Sequence, residues 1–279
     1  MQGNPGGQRV VVVTGASEGI GRAAAGALHR AGEEVVLVGR SPEKTQAAAA
    51  ELGGAEHHVA DFARLAEVRA LAEELGRRHP RIDALLNNAG LIASSRRTET
   101  EDGHELTFQV NHLAPFLLTL LLRDSLAEAC GSVVATSSAA GVRGRIALDD
   151  LDSRRGYQGF RAYATSKLEN VLFTRELAAR WAPVGVAAAA VHPGVVRSRW
   201  GHGGTPLVRL FTTSPLRHLM HSPERGAETL VWLATSRAGE DWESGGYFAN
   251  SRPARPSPLA DDPELRRGLW DRSAAMCGL

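Results

Sequence analysis

The sequence predicts an α/β fold: a parallel, doubly wound sheet with helices on both faces. Short apolar runs rich in Val and Ala recur along the chain, Ala-, Leu- and Arg-rich helical stretches separate them, and the first run opens straight into a glycine turn. In order, strands are expected at RVVVV (9–13), EVVLVG (34–39), HHVA (57–60), DALLN (83–87), SVVAT (132–136) and GVAAAAV (185–191). Strands covered on both faces need no polar side, which is why these runs are nearly continuous rather than alternating. Long helices are expected around 104–129 and 161–182, and a short final helix, LRRGLWDRSAAM, follows the Pro-rich extension RPARPSPLADDP (252–263). No repeat and no linker divides the chain, so all 279 residues are read as one Rossmann-type domain with a C-terminal extension over about 250–279.

Composition narrows the class. The 32 basic and 31 acidic residues nearly cancel, and no basic stripe is interleaved with aromatics, which argues against nucleic acid as a partner. Cys130 and Cys277, far apart in sequence, suggest no disulfide framework and fit a reducing cytosol. The start, MQGNPGGQ, is polar and reads as no signal peptide, while the longest apolar stretch, LAPFLLTLLL (113–122), is too short to cross a bilayer. A cytoplasmic protein without a membrane span is expected.

The segment TGASEGIG (Thr14–Gly21) follows the first strand and precedes an Ala-rich helix. Glycines let the backbone approach a pyrophosphate, and the free N–H groups of the helix N-terminus face the anion. Gly15, Gly19 and Gly21 supply that turn, with Ser17 and Ile20 between them. The second strand ends in Gly39 and Arg40 rather than an acid for ribose hydroxyls, so a 2′-phosphate and hence NADP is favoured over NAD. Glu18, inside the turn, pulls the other way, because a carboxylate repels that phosphate.

Lys167 is one of only two lysines in an Arg-rich chain, and it closes YATSK four residues after Tyr163. One helical turn puts phenol and ammonium on the same face, where a compact cation lowers the phenol's pKa. Together these segments resemble the short-chain dehydrogenase/reductase superfamily, closest to its retinol-dehydrogenase-like branch, over nearly the whole length. TGASEGIG resembles the family's TGxxxGxG, NNAG (87–90) the motif after its fourth strand, and YATSK its YxxxK. TEDGHELTFQVNHLAPFLLT (100–119), YATSKLENVLFTRELAAR (163–180), VHPGVV (191–196) and the tail SGGYFANSRPARPSP are similar to the branch itself.

The resemblance implies a catalytic set of Asn111, Ser138, Tyr163 and Lys167. Ser138 would polarise a substrate carbonyl, with the adjacent Ser137 as the alternative hydroxyl. Tyr163 would exchange a proton with the substrate oxygen, and a fall from about 10 to near neutrality asks for roughly 4 kcal/mol favouring phenolate. Pro115 lies four residues after Asn111 and has no N–H for its carbonyl, which would free that oxygen for the water that links the lysine to solvent in the family. By position, Asp61 would meet the adenine, and Asn87, Ala89 and Gly90 would line the adenosine side. Pro193, Gly194 and Val196 would border the nicotinamide, and Ser198 takes the usual threonine position for its carboxamide.

Residues 199–222 combine glycines with Leu207, Val208, Leu210, Phe211, Leu216, Leu219 and Met220, and resemble the family's substrate lid, here about 197–222. An apolar lid favours a lipophilic alcohol, aldehyde or ketone. The same residues could instead meet a second subunit or a membrane surface. His202, His218 and His221 form no metal-ligand pattern, and no metal is called for. The expected function is therefore NADP-dependent carbonyl reduction or alcohol oxidation. A dinucleotide-binding regulator, or an isomerase or lyase using the cofactor transiently, are the rivals. A homodimer or homotetramer pairing through the two long helices is expected from relatives.

Overall fold

The structure, a computed structural model, describes residues 7–92, 95–196 and 221–279. Among them eight strands form one sheet in the order β3-β2-β1-β4-β5-β6-β7-β8. These are β1 (Val10–Thr14), β2 (Glu34–Gly39), β3 (His57–Val59), β4 (Ala84–Asn87), β5 (Ser132–Thr136), β6 (Ala187–His192), β7 (Tyr247–Ala249) and β8 (Arg252–Pro253). All neighbours pair in parallel except β7 and β8. The order reverses between β1 and β4, so the carboxyl ends of these strands open the crevice in which such sheets bind ligands.

Two apolar layers account for the continuous strand runs. Val11, Val13, Leu86, Ala187 and Ala189 face α1 (Gly19–Arg30) and α8 (Pro223–Thr235). Val12, Leu85, Val133, Ala188 and Ala190 face α3 (Leu65–Arg78), α5 (Ala114–Leu121) and α7 (Gly159–Trp181). α2 (Pro42–Glu51) runs from β2 to β3, opened by Ser41, whose hydroxyl accepts from the Lys44 N–H, and by Pro42 at its first position.

The long helix expected over 104–129 is broken. A short turn, α4 (Leu106–Phe108), leads into a π-helical turn at Gln109–Leu113, then α5, then α6 (Arg123–Ala129). The Ala114 N–H reaches back five residues to the Gln109 carbonyl, just ahead of Pro115, which has no N–H to continue a regular ladder. The tail also departs from its reading as a plain extension. Asn250 and Ser251, both with φ above +50°, turn β7 into the antiparallel β8, and Pro253 sits on the sheet's edge where no N–H is needed.

The final helix, α9 (Pro263–Met276), lies across α7 and α5. Trp270 meets Phe116 at 5.1 Å and Phe173 at 5.9 Å between ring centroids, and the Arg180 guanidinium stands 4.7 Å over the Trp270 ring. The chain's own C-terminal helix thus covers part of α7. Cys130 and Cys277 are free thiols. No helix among the described residues is long and apolar enough to cross a membrane.

Candidate active site

The glycine turn is laced to the end of β4. The buried Thr14 hydroxyl accepts from the N–H groups of Asn88 (2.9 Å) and Ala89 (3.0 Å) and donates to the Leu86 carbonyl (3.1 Å). The Asn88 amide returns a bond to the Thr14 carbonyl at 2.9 Å. Gly15 has φ +66°, and a Cβ there would stand 2.9 Å from the Ala89 Cα. Gly21 is closed in the same way by the Gly15 carbonyl and the Asn88 amide. Gly19, with φ +60°, has nothing within 4 Å of such an atom. Glu18 occupies the N-cap of α1 without making a side-chain cap, so the first-turn N–H groups beside Ile20 remain for an anion. A dinucleotide pyrophosphate fits this cradle. Gly15→Ala is expected to cost at least about tenfold in dinucleotide affinity, read by calorimetric titration, with a lower Tm, since it adds both a clash and a disfavoured left-handed residue.

At the end of β2, Arg40 is exposed and Gly39 leaves no room for a side chain: a Cβ there would sit 3.1 Å from the Ser17 Cβ. The Glu18 carboxylate, expected to oppose a phosphate here, accepts from the Lys44 ammonium at 3.0 Å. Past β3, the Asp61 carboxylate accepts from the Ala63 N–H at 3.0 Å. Asn87, expected on the adenosine side, is buried. Strand alternation puts it on the Leu85 face, where its amide donates to the Thr119 hydroxyl at 2.8 Å.

Beyond β5 the two serines diverge. Ser137 donates to the Lys167 carbonyl at 2.6 Å, whereas Ser138 opens the 3-10 turn Ala139–Arg143 and hydrogen-bonds the Tyr163 phenol. The Lys167 ammonium is 5.7 Å from the Tyr163 ring centroid and donates to the Thr136 carbonyl at 3.0 Å. Asn111 Oδ1 accepts from the Leu91 N–H at 2.7 Å, and its Nδ2 donates to the Leu91 carbonyl at 2.9 Å and to the Ser166 hydroxyl at 3.0 Å. Gly90 is where these groups meet: a Cβ there would lie 3.0 Å from Asn111 Oδ1 and 3.4 Å from Lys167 Nζ.

Burial pulls the Lys167 amine down to about 8. Burial also pushes the Tyr163 phenol up, and the Ser138 hydroxyl only partly offsets it. This is opposite in direction to the sequence expectation. The ammonium is committed to Thr136 and stands over the ring rather than at its oxygen, so desolvation wins.

β6 delivers the last edge. Gly194, with φ +84°, lies against His221, and a Cβ there would be 2.6 Å from its Nδ1. Val196 bridges His221 in parallel fashion, and Pro193 is part-buried beside them. Thus His221, to which the sequence gave no ligand role, forms part of this rim, and His192 Nδ1 accepts from the Ala139 N–H at 3.2 Å. Ser198, His202, His218 and the lid residues 197–220 lie outside the described residues.

The segment between Ser138 and Tyr163 is pinned by acids. Asp152 accepts from the Glu105 N–H at 2.9 Å and pairs with His104 at 3.2 Å, while Tyr157 donates to Glu105 at 3.2 Å. Nearby, Glu169 on α7 is fully buried, neither of its carboxyl oxygens has a partner, and burial pushes it well above the carboxylate range, aided by Glu105 and Asp152. Sequence reasoning missed Asn88, Thr136, Lys44 and Glu169. Asn88 lies inside the NNAG segment and was within reach of it.

A family model described as short chain dehydrogenase matches residues 9–203. The chain belongs to the short-chain dehydrogenase/reductase family. Its relatives place it in the retinol-dehydrogenase-like branch. A Streptomyces sp. (strain C5) protein, named provisionally as daunorubicin C-13 ketoreductase DnrU, is 45% identical over 97% of this chain and 93% of its own length. Human retinol dehydrogenase 13 is 41% identical over 97% of this chain and 85% of its own. Among solved structures, an uncharacterized protein from Mycobacterium paratuberculosis superposes with a TM-score of 0.78 at 30% identity, covering 97% of this chain and 94% of that one. A protein from Shigella flexneri 2a str. 301, titled as a short chain dehydrogenase on a provisional basis and complexed with NADP, gives 0.67 at 26% identity, over 88% and 97%. This short-chain dehydrogenase/reductase is accordingly an oxidoreductase with a Rossmann-type sheet.

Proposed function

We propose that this enzyme is an NADP-dependent reductase of lipophilic aldehydes and ketones, running in reverse on the matching alcohols. The observation that carries the reading is the meeting of the Ser138 hydroxyl with the Tyr163 phenol at the carboxyl edge of β5, one helical turn from Lys167. When bound, the nicotinamide supplies or accepts the hydride. Every other task falls to side chains. Ser138 donates a hydrogen bond to the carbonyl oxygen and draws charge onto it. Tyr163, kept protonated by burial, gives its phenolic proton to that oxygen. Lys167, with its amine near 8, holds the proton that restores the phenol, and Asn111 fixes the loop after β4 through both backbone groups of Leu91.

Arg40 supports NADP, because an exposed guanidinium at the end of β2 matches a 2′-phosphate where an acid would match ribose hydroxyls. The solved relative with NADP agrees. The lipophilic class is supported by the apolar lid sequence and by relatives named for daunorubicin C-13 ketone reduction and for retinol.

The test is a panel of aldehydes, ketones and polycyclic alcohols assayed with each nicotinamide cofactor. NADPH consumption with apolar carbonyls, at least about tenfold faster than with NADH, is expected. Cofactor binding with no consumption across the panel would select the regulator instead, and product without net redox change would select an isomerase or lyase.

A further inference from the structure

The chain's only lysine besides Lys167 is Lys44, and it stands at the corner where the glycine turn meets the end of β2. That corner is tight: the Ala16 N–H donates to the Val38 carbonyl at 3.0 Å, and Ser17 packs against Gly39. Two cations, Arg40 and Lys44, and two acids, Glu18 and Glu43, surround it. Glu43 is occupied locally by the Ser41 hydroxyl at 2.9 Å in the first turn of α2. Glu18 is different. It sits inside the anion-binding turn and turns away from the cap it could have made, reaching instead to Lys44.

A bare carboxylate at that point would repel a phosphate on the adjoining ribose. We propose that Glu18 and Lys44 form an exchangeable ion pair: Lys44 neutralises the acid in the empty protein and transfers to the 2′-phosphate of the incoming dinucleotide, making Lys44 a specificity determinant alongside Arg40. Both side chains are about half exposed, at 52% and 43%, so the pair is weak and the lysine free to swing. A phosphate dianion offers that ammonium more charge and more acceptor oxygens than one carboxylate does. A cofactor with only a 2′-hydroxyl offers no such replacement and leaves Lys44 on Glu18. Discrimination thus arises from which partner the lysine keeps. The inference rests on the NADP reading above, and it adds residues to which that reading gave no part or an opposing one.

Calorimetric titration with two adenosine fragments tests it without turnover: adenosine 2′,5′-bisphosphate and ADP. The wild type should prefer the bisphosphate. Lys44→Met should lower affinity for the bisphosphate about tenfold and leave ADP unchanged. Glu18→Gln should raise affinity for the bisphosphate about threefold, and by at least as much in the Lys44→Met background, where no ammonium screens the carboxylate from the phosphate. A wild type without preference overturns both the cofactor reading and this inference. A preference that survives Lys44→Met but disappears in Arg40→Ala overturns this inference alone and leaves NADP standing. Equal loss of both ligands in Glu18→Gln, pointing to a collapsed turn, also overturns it.

Discussion

Tyr163→Phe is expected to slow turnover by ~10²–10⁴-fold while leaving dinucleotide affinity within about threefold of wild type. The substitution removes one oxygen and keeps the ring, so the packing of α7 and the approach of Lys167 over that ring survive. What disappears is the proton donor and its bond to Ser138. Turnover is read at saturating cofactor and carbonyl, and affinity by fluorescence of bound NADPH. A variant that still turns over at close to the wild-type rate would remove Tyr163 from the chemistry and take the proposed mechanism with it.

Glu169 should dominate the pH dependence of stability. In the unfolded chain it ionises at about 4.5, whereas in the fold its carboxyl is held well above that by burial and by Glu105 and Asp152. Between those two values the native state binds a proton that the unfolded state has released. Stability is therefore greatest below about 4.5 and is lost as pH rises through the folded value, at up to about 1.4 kcal/mol per pH unit inside the window. Glu169→Gln does not titrate, so its Tm should exceed the wild type's at neutral pH and the two should converge in acid. Each kcal/mol corresponds to about 2–4 °C for a chain of this size. Glu169→Met goes further by leaving no polar atom unpaired among neighbours that offer no partner. Melting curves from pH 4 to pH 9 decide the matter: a constant gap between wild type and Glu169→Gln would mean that the carboxyl is charged in the fold.

Much of this was legible in the chain because it depends on local pattern. The apolar runs marked β1, β2, β4, β5 and β6, since strands buried on both faces tolerate little else, while β3 lies at the sheet's edge. That Tyr163 and Lys167 share a face was legible from one helical turn, whereas Ser138 was reached only through the family resemblance. Pro115 pointed to a free carbonyl at Asn111, but not to the π turn that breaks the long helix. Other features depend on partners distant in sequence. The inward turn of Asn87 depends on Thr119, the Glu18–Lys44 pair spans two loops, and the loneliness of Glu169 appears only when α7 is packed on all sides. The phenol's pKa went the other way for the same reason: spacing located the ammonium, but the Thr136 carbonyl that claims it lies at the end of β5, distant in sequence.

The alanines of β6 have a further consequence. Ala188 and Ala190 are the spacers between the sheet and the helix that bears Tyr163 and Lys167, and on the other side Ala187 and Ala189 do the same for α8. Single methyl groups thus fix how far the Tyr163 phenol stands from the sheet. That height is dictated from underneath, so it would drift with carbon atoms added to β6.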